Sequence, residues 1–533
     1  MLLSGHHFVG AERSIAGRHE WRAIDPRTGE RLEPAYQDAT DVEIDRALSL
    51  AADAHESLRS RGGGVSREVR AAFLEQIAQE ILDLGDPLID RAMAETGLPA
   101  SRLVGERGRT ISQLQLFADE VREGSYLGVR IDRGDPDREP LPKPDLRRLR
   151  IPLGPVVVFG AANFPLAFSV AGGDTASALA AGCPVVVKAH PRHPGTSELT
   201  AIAVARAVER IGMPEGTFSL LQGESPVVGA ALVRHPLAAA VGFTGSLRGG
   251  RALFDIASRR SRPIPVYAEM GSSNPVFLLP EALAAGGERI AAGLAGSVTL
   301  GAGQFCTRPG LVFALETPKL ESFESALASL FETEAEGTLL HLGIRQGFEE
   351  GISSALATGG VDLRARGAEG ASGPCGAMPT LLATDSGTFR AHPELQEEIF
   401  GPSTLLVRCA DAGDMLDLAR RLEGQLTATL HAAEEDEATA RDLLPILEER
   451  AGRVLFGGFP TGVEVGHAMQ HGGPYPATTA AASTSVGSAS IQRWLRPVVY
   501  QNAPESLLPE ELRDDNPAGL MRRIDGKWTP PEG

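Results

Sequence analysis

The segment Gly301-Ala302-Gly303-Gln304-Phe305-Cys306-Thr307-Arg308-Pro309-Gly310 sets one thiol among glycines and closes on a Pro-Gly turn. A thiolate attacks carbonyl carbon readily, and glycines at 301 and 303 let the main chain approach a bound molecule closely. A buried cysteine acting as a small hydrophobe is the plain alternative. The other cysteines, Cys183, Cys375 and Cys409, stand singly, without CxxC pairs or clusters with histidine. No metal site and no disulfide framework are therefore expected, and a reduced nucleophilic thiol is compatible with the pattern.

The elements that must position this thiol show in the alternation of apolar runs with helical patterns from residue 151 onward. Strand-like runs at 155–160, 184–188, 217–221, 238–243 and 264–268 are separated by helical stretches at 167–181, 197–211, from 226, and at 247–258. Such alternation predicts a parallel, doubly wound sheet, with ligands at the carboxyl ends of its strands. Asn163, Lys188, Gly223, Thr244, Gly245, Ser246 and Glu269 fall at those ends. A further strand at 275–279 opens a second α/β region holding the Cys306 loop, the segment 395–407 and a turn at 457–462. Upstream, a turn at 24–30 precedes helical patterns at 41–54, 66–84 and 99–123. The charged, proline-bearing stretch 128–150 reads as an excursion or interface arm, 487–500 as a final extended piece, and the acidic remainder as a tail. No GxGxxG follows the first strand. Gly242-Phe243-Thr244-Gly245-Ser246 could face a pyrophosphate, or be an ordinary strand-to-helix turn.

With 533 residues and 42% hydrophobic content, the chain can form two to four lobes with large cores. A net charge of -18 argues against nonspecific nucleic-acid binding, so any anion site must be local. No run approaches a membrane span and the start lacks a basic, apolar leader, so neither a membrane nor a nucleic-acid partner is expected and the expected location is cytoplasmic.

In sequence order, Asn163-Phe164-Pro165-Leu166, Val187-Lys188, Phe243-Thr244-Gly245-Ser246, Glu269-Met270-Gly271, Gly303-Gln304-Phe305-Cys306 and Glu398-Ile399-Phe400-Gly401-Pro402 resemble the aldehyde dehydrogenase superfamily, from about residue 20 to 500. The resemblance implies an α/β fold of two doubly wound parallel-sheet lobes with a small oligomerisation arm. Residues 1–127 and 151–268 would bind the cofactor, 269–486 would form the catalytic lobe, 128–150 and 487–503 the arm, and 504–533 a tail. A homodimer or homotetramer follows from the same resemblance.

It also implies roles. Cys306 would attack an aldehyde, Asn163 would donate to the oxyanion, and Glu269 would activate the water that cleaves the resulting thioester. Lys188, Thr244, Gly245, Ser246, Glu398 and Phe400 would hold a nicotinamide cofactor. The NAD-preferring pattern Lys-Pro-x-Glu is here Lys188-Ala189-His190-Pro191, without the acid for a ribose 2′-hydroxyl. With His190 and Arg192 nearby, NADP is the expected cofactor and NAD a possible one. The segments 159–169, 172–175 and 471–479 resemble the branch of 2-oxoglutarate semialdehyde and NADP-dependent long-chain aldehyde enzymes, and residues 105–110 and 496–502 tilt toward the semialdehyde. Arg107, Arg109, Phe168, Phe305 and Phe459 are candidates for contact with the aldehyde substrate. A CoA-acylating enzyme, which usually lacks the base matched by Glu269, and a catalytically silent relative are the alternatives.

Overall fold

Valine-rich runs buried on both faces build the first sheet, as expected for strands covered by helices on either side. The computed structural model describes residues 3–59 and 64–531; residues 1, 2, 60–63, 532 and 533, within the expected first lobe and tail, lie outside it. The sheet order is Val266–Glu269, Ala240–Thr244, Val156–Phe159, Val185–Lys188, Phe218–Leu221, His7–Val9 and Glu12–Ser14. The first five strands run parallel, and an amino-terminal hairpin adds the last two antiparallel. The chain begins the parallel part at Val156–Phe159, winds outward through Val185–Lys188 and Phe218–Leu221, then returns to Ala240–Thr244 on the other side. The strand order therefore reverses between Val156–Phe159 and Ala240–Thr244, which opens a crevice at their carboxyl ends.

One expected helix is shorter than its pattern. Helical spacing from 167 gives way to a helix only over Gly173–Ala181, because the buried carboxylate of Glu106 accepts the N–H groups of Leu166 and Ala167, both at 2.9 Å. Those bonds hold the preceding loop, with Asn163 in it, in a non-helical path.

The second sheet runs Asp362–Arg366, Thr380–Asp385, Ser403–Cys409, Leu311–Leu315, Val276–Leu278, Gln425–His431 and Ala451–Phe456. All are parallel except the edge strand Asp362–Arg366. The segment expected at 395–407 divides into a short turn at Pro393–Gln396 and the strand Ser403–Cys409, leaving Glu398 and Phe400 on the loop between.

The third sheet corrects the expected tail. Leu495–Gln501, Leu146–Pro152, Arg130–Asp132, Arg522–Ile524 and Lys527–Thr529 form one five-stranded arm. Leu508, Leu512 and Leu520 are buried in the same core as Phe117, Val121 and Tyr126. Buried Arg147 donates to the Leu512 carbonyl at 2.8 Å and pairs with Asp514 at 3.1 Å. The described residues after 504 are thus fastened into the arm by three buried apolar side chains and by the contacts of Arg147. Among the described residues, no helix is long and apolar enough to cross a membrane.

Candidate active site

Cys306 follows the helix Pro280–Thr299 and a tight turn at Leu300–Gly303. Gly301, Ala302 and Gly303 take φ values of 58°, 55° and 69°. A side chain at Gly303 would collide with the Gly401 carbonyl at 2.3 Å, so that glycine admits the neighbouring loop. Ala302 has no such freedom and holds a left-handed conformation that costs about 1–2 kcal/mol. Asn274 fixes the far side of the turn: its Nδ2 donates to the carbonyls of Cys306 at 2.9 Å and Arg308 at 3.0 Å.

Two groups close on the partly exposed thiol. His471 Nε2 lies 3.5 Å from Cys306 Sγ and 2.8 Å from Glu269 Oε1. Ser485 donates its hydroxyl to the other oxygen of Glu269, and its main-chain N–H to the His471 carbonyl at 2.8 Å. Thr484 Oγ1 accepts the His471 N–H at 2.8 Å, so one loop orients both histidine and glutamate. The three side-chain donors lie within 4.8 Å of one another, close enough to hold a metal ion jointly, which the scattered cysteines did not suggest.

The electrostatics separate the two acids of this trio. Burial, and then the Glu269 carboxylate, push the Cys306 thiol well above its usual range, with Arg109 opposing. Burial would also raise Glu269, but the charge and hydrogen bonding of His471 and the Ser485 hydroxyl outweigh it and hold the acid below its ordinary value. The resting site therefore pairs a protonated thiol with a carboxylate ready to receive a proton. Asn163 spends one amide N–H on the Gln304 carbonyl at 3.1 Å, which places its side chain beside the cysteine turn with its other N–H unpartnered among the described residues.

The candidate cofactor residues gather at the crevice. Thr244 stands in register with Glu269, Gly245 N–H donates to the Glu269 carbonyl at 3.0 Å, and Ser246 caps the exposed start of helix Leu247–Ser258. Across from it, Gly271 lacks a Cβ that would meet Glu398 Oε2 at 2.5 Å. Burial raises Glu398 to about 7, against the pull of Arg308. An exposed helix terminus and a carboxylate let in by a glycine fit a nicotinamide coenzyme. Phe400 is half-buried on the same loop as Glu398. Lys188 donates to the Gly223 carbonyl, and burial lowers it to about 8. The cations expected near a 2′-phosphate are otherwise occupied. His190 stacks on His193 with centroids 5.3 Å apart and is held well below its usual range by burial, and Arg192 lies 3.3 Å from Glu224.

The five substrate candidates divide. Phe168 and Phe305 join Phe164 in an aromatic collar, with centroid distances of 5.1 Å from Phe164 to Phe168 and 5.4 Å from Phe164 to Phe305. Arg109 lies over Phe168, its Cζ 5.2 Å from the ring centroid. Its Nε and Nη2 are buried without a hydrogen-bond partner among the described residues. Arg107 instead donates to the Gly85 carbonyl at 3.0 Å, a structural contact on another face of the helix. Phe459 packs on His431 at 5.1 Å and on the catalytic-lobe core, outside the collar. Arg107 and Phe459 thus stand apart from the collar. Asn274 and Glu224, polar residues in loops, give no periodic signal in the sequence, and His471 enters there only through the resemblance of 471–479, without a role; the strand-end Gly223 marks the neighbourhood of Glu224.

The family model described as "Aldehyde dehydrogenase family" matches residues 14–473, and the chain belongs to that family. It is an oxidoreductase that acts on aldehydes with a nicotinamide coenzyme. Its relatives include a protein of Azospirillum brasilense named alpha-ketoglutaric semialdehyde dehydrogenase 2, 52% identical and covering 99% of this chain and 100% of that one. Alpha-ketoglutaric semialdehyde dehydrogenase of Acinetobacter baylyi is 44% identical, over 99% of each chain. Among solved structures, betaine aldehyde dehydrogenase of Staphylococcus aureus in complex with NAD+ is 20% identical and superimposes with a TM-score of 0.79, over 94% of this chain and 96% of that one. That likeness concerns the fold.

Proposed function

We propose that this chain oxidises 2-oxoglutarate semialdehyde (2,5-dioxopentanoate) to 2-oxoglutarate through a covalent intermediate on Cys306. The two relatives named for that aldehyde support the reading, and Arg109 carries it: a guanidinium with two buried, unpartnered nitrogens beside the collar is suited to a substrate carboxylate. The Cys306 thiol first gives up its proton to solvent, so that Glu269, oriented by His471, stays ionised. Sγ then attacks the aldehyde carbon, and the oxyanion meets the Cys306 main-chain N–H and the remaining Asn163 amide N–H. A bound nicotinamide coenzyme supplies the hydride acceptor; Lys188, Thr244, Gly245, Ser246, Glu398 and Phe400 are the residues that would hold it. Glu269 next removes a proton from water, whose oxygen attacks the thioester carbon. The acid leaves and Cys306 recovers its proton. A hydrolytic base at this position favours water over CoA as acceptor.

The apolar collar, with Val463, Val465 and Met469 packed against it, favours a second reading in which aliphatic aldehydes are also oxidised. The coenzyme is NAD or NADP; Pro191 in place of an acid speaks for NADP, and the engagement of Arg192 and His190 speaks against it. Residues 1–127 and 151–268 are assigned to the cofactor lobe, 269–486 to the catalytic lobe, and the arm to assembly of a cytoplasmic homodimer or homotetramer. Its strand Leu495–Gln501 lies at a sheet edge that a second copy would cover. Reduced-coenzyme formation by the purified protein is to be measured with 2-oxoglutarate semialdehyde, succinic semialdehyde, glutaraldehyde and a long-chain alkanal. The highest kcat/KM is expected for the first. A preference for the alkanal would replace this reading with the second.

A further inference from the structure

Pro191 leaves the ribose end of the crevice without the acid expected there, yet a carboxylate reaches the same place from the next strand's loop. Glu224 follows Phe218–Leu221, and its neighbour Gly223 accepts the hydrogen bond from Lys188 Nζ. Asp38 fastens this loop: its Oδ1 accepts the Glu224 N–H at 2.6 Å and its Oδ2 the Ser225 N–H at 3.3 Å. The Glu224 carboxylate is thereby held near enough to Lys188 for its charge to act on that ammonium. Its Oε1 lies 3.3 Å from Arg192 Nη1, and its Oε2 lies 3.6 Å from His19 Nε2. Arg192 and Glu224 are 36% and 35% exposed, so their pairing contributes little to stability and can exchange partners when a ligand arrives.

We propose that Glu224 is the specificity-determining acid at the adenosine ribose, replacing the one absent at Pro191 and biasing the site toward NAD. The inference rests on the reading of this crevice as the coenzyme site. A carboxylate here accepts hydrogen bonds from the ribose 2′-hydroxyl. A 2′-phosphate in the same place would meet that negative charge and would find its guanidinium partner already engaged. Discrimination thus comes from a repulsive group together with the sequestration of an attractive one. Replacing Glu224 by glutamine removes the repulsion and frees Arg192 for bidentate contact with phosphate.

The test is calorimetric and needs no turnover: adenosine 5′-monophosphate and adenosine 2′,5′-bisphosphate are titrated into the wild type, E224Q, and E224Q combined with R192Q. The wild type should bind the monophosphate at least as tightly as the bisphosphate. E224Q should tighten the bisphosphate by about tenfold or more relative to the monophosphate, and adding R192Q should remove most of that gain. A wild type that favours the bisphosphate, or an E224Q protein with an unchanged ratio, would overturn the role of Glu224. Failure of every folded variant to bind either nucleotide would instead overturn the coenzyme-site reading on which it rests.

Discussion

Replacing Arg109 by methionine removes a guanidinium from the collar while keeping an unbranched side chain over Phe168. Two guanidinium nitrogens, Nε and Nη2, are buried and unpartnered among the described residues, so a substrate carboxylate would gain hydrogen bonds that those residues do not supply. A hydrogen bond to a charged group is worth about 1.5–3 kcal/mol. At about 1.36 kcal/mol per decade, its loss lowers kcat/KM for the acidic semialdehyde by roughly 13- to 160-fold, chiefly through KM. The cation–π contact with Phe168 is lost as well, but at about 0.5–1 kcal/mol it limits the loss on an uncharged aldehyde to roughly fivefold. Steady-state kinetics on 2-oxoglutarate semialdehyde and on an uncharged aldehyde of similar length separate the two contributions. Arg107→Met is the control, since Arg107 holds the Gly85 carbonyl and should affect both substrates equally. Equal losses on both aldehydes with Arg109→Met, or no loss on either, would refute the carboxylate contact.

His471→Gln removes the group that helps hold Glu269 below its ordinary pKa while burial remains, so the acid limb of the pH profile should move upward and the rate at neutral pH fall by about 10²-fold. A lower rate with an unmoved limb would make His471 a packing residue only. Cys306 should react with iodoacetamide mainly above the ordinary thiol range, and Glu269→Gln should speed that reaction at pH near 8, because removing the carboxylate lowers the thiol pKa. Slower alkylation in that variant would show that Glu269 must first accept the thiol proton. Coenzyme binding near pH 7 should release protons, since ribose hydroxyls donating to Glu398 favour its ionised form over the raised free value of about 7; calorimetry in buffers of different ionisation heat measures this, and no release would remove Glu398 from the ribose.

The parallel sheets were legible because strands buried on both faces must be continuous apolar runs, as in Val156–Phe159 and Val185–Lys188. The cysteine turn and Glu269 were legible through glycines and a strand end. His471 was not: it lies 165 residues from Cys306, in a loop whose course depends on bonds to Thr484 and Ser485. Arg107 and Arg109 could not be ranked from sequence, since residues two apart on a helix point about 200° apart and only packing decides which side meets the collar. The closing strands of the arm, Arg522–Ile524 and Lys527–Thr529, have three residues each, too few for a period to show.

In the proposed cycle Cys306 carries the substrate and Glu269 releases it. Glu269→Gln protein mixed with coenzyme and 2-oxoglutarate semialdehyde, then digested and examined by mass spectrometry, tests both parts at once. One burst of reduced coenzyme is expected, matched by an acyl adduct on the peptide containing Cys306, with the buried Cys183, Cys375 and Cys409 unmodified. A burst without an adduct on Cys306, or steady turnover at the wild-type rate, would contradict it.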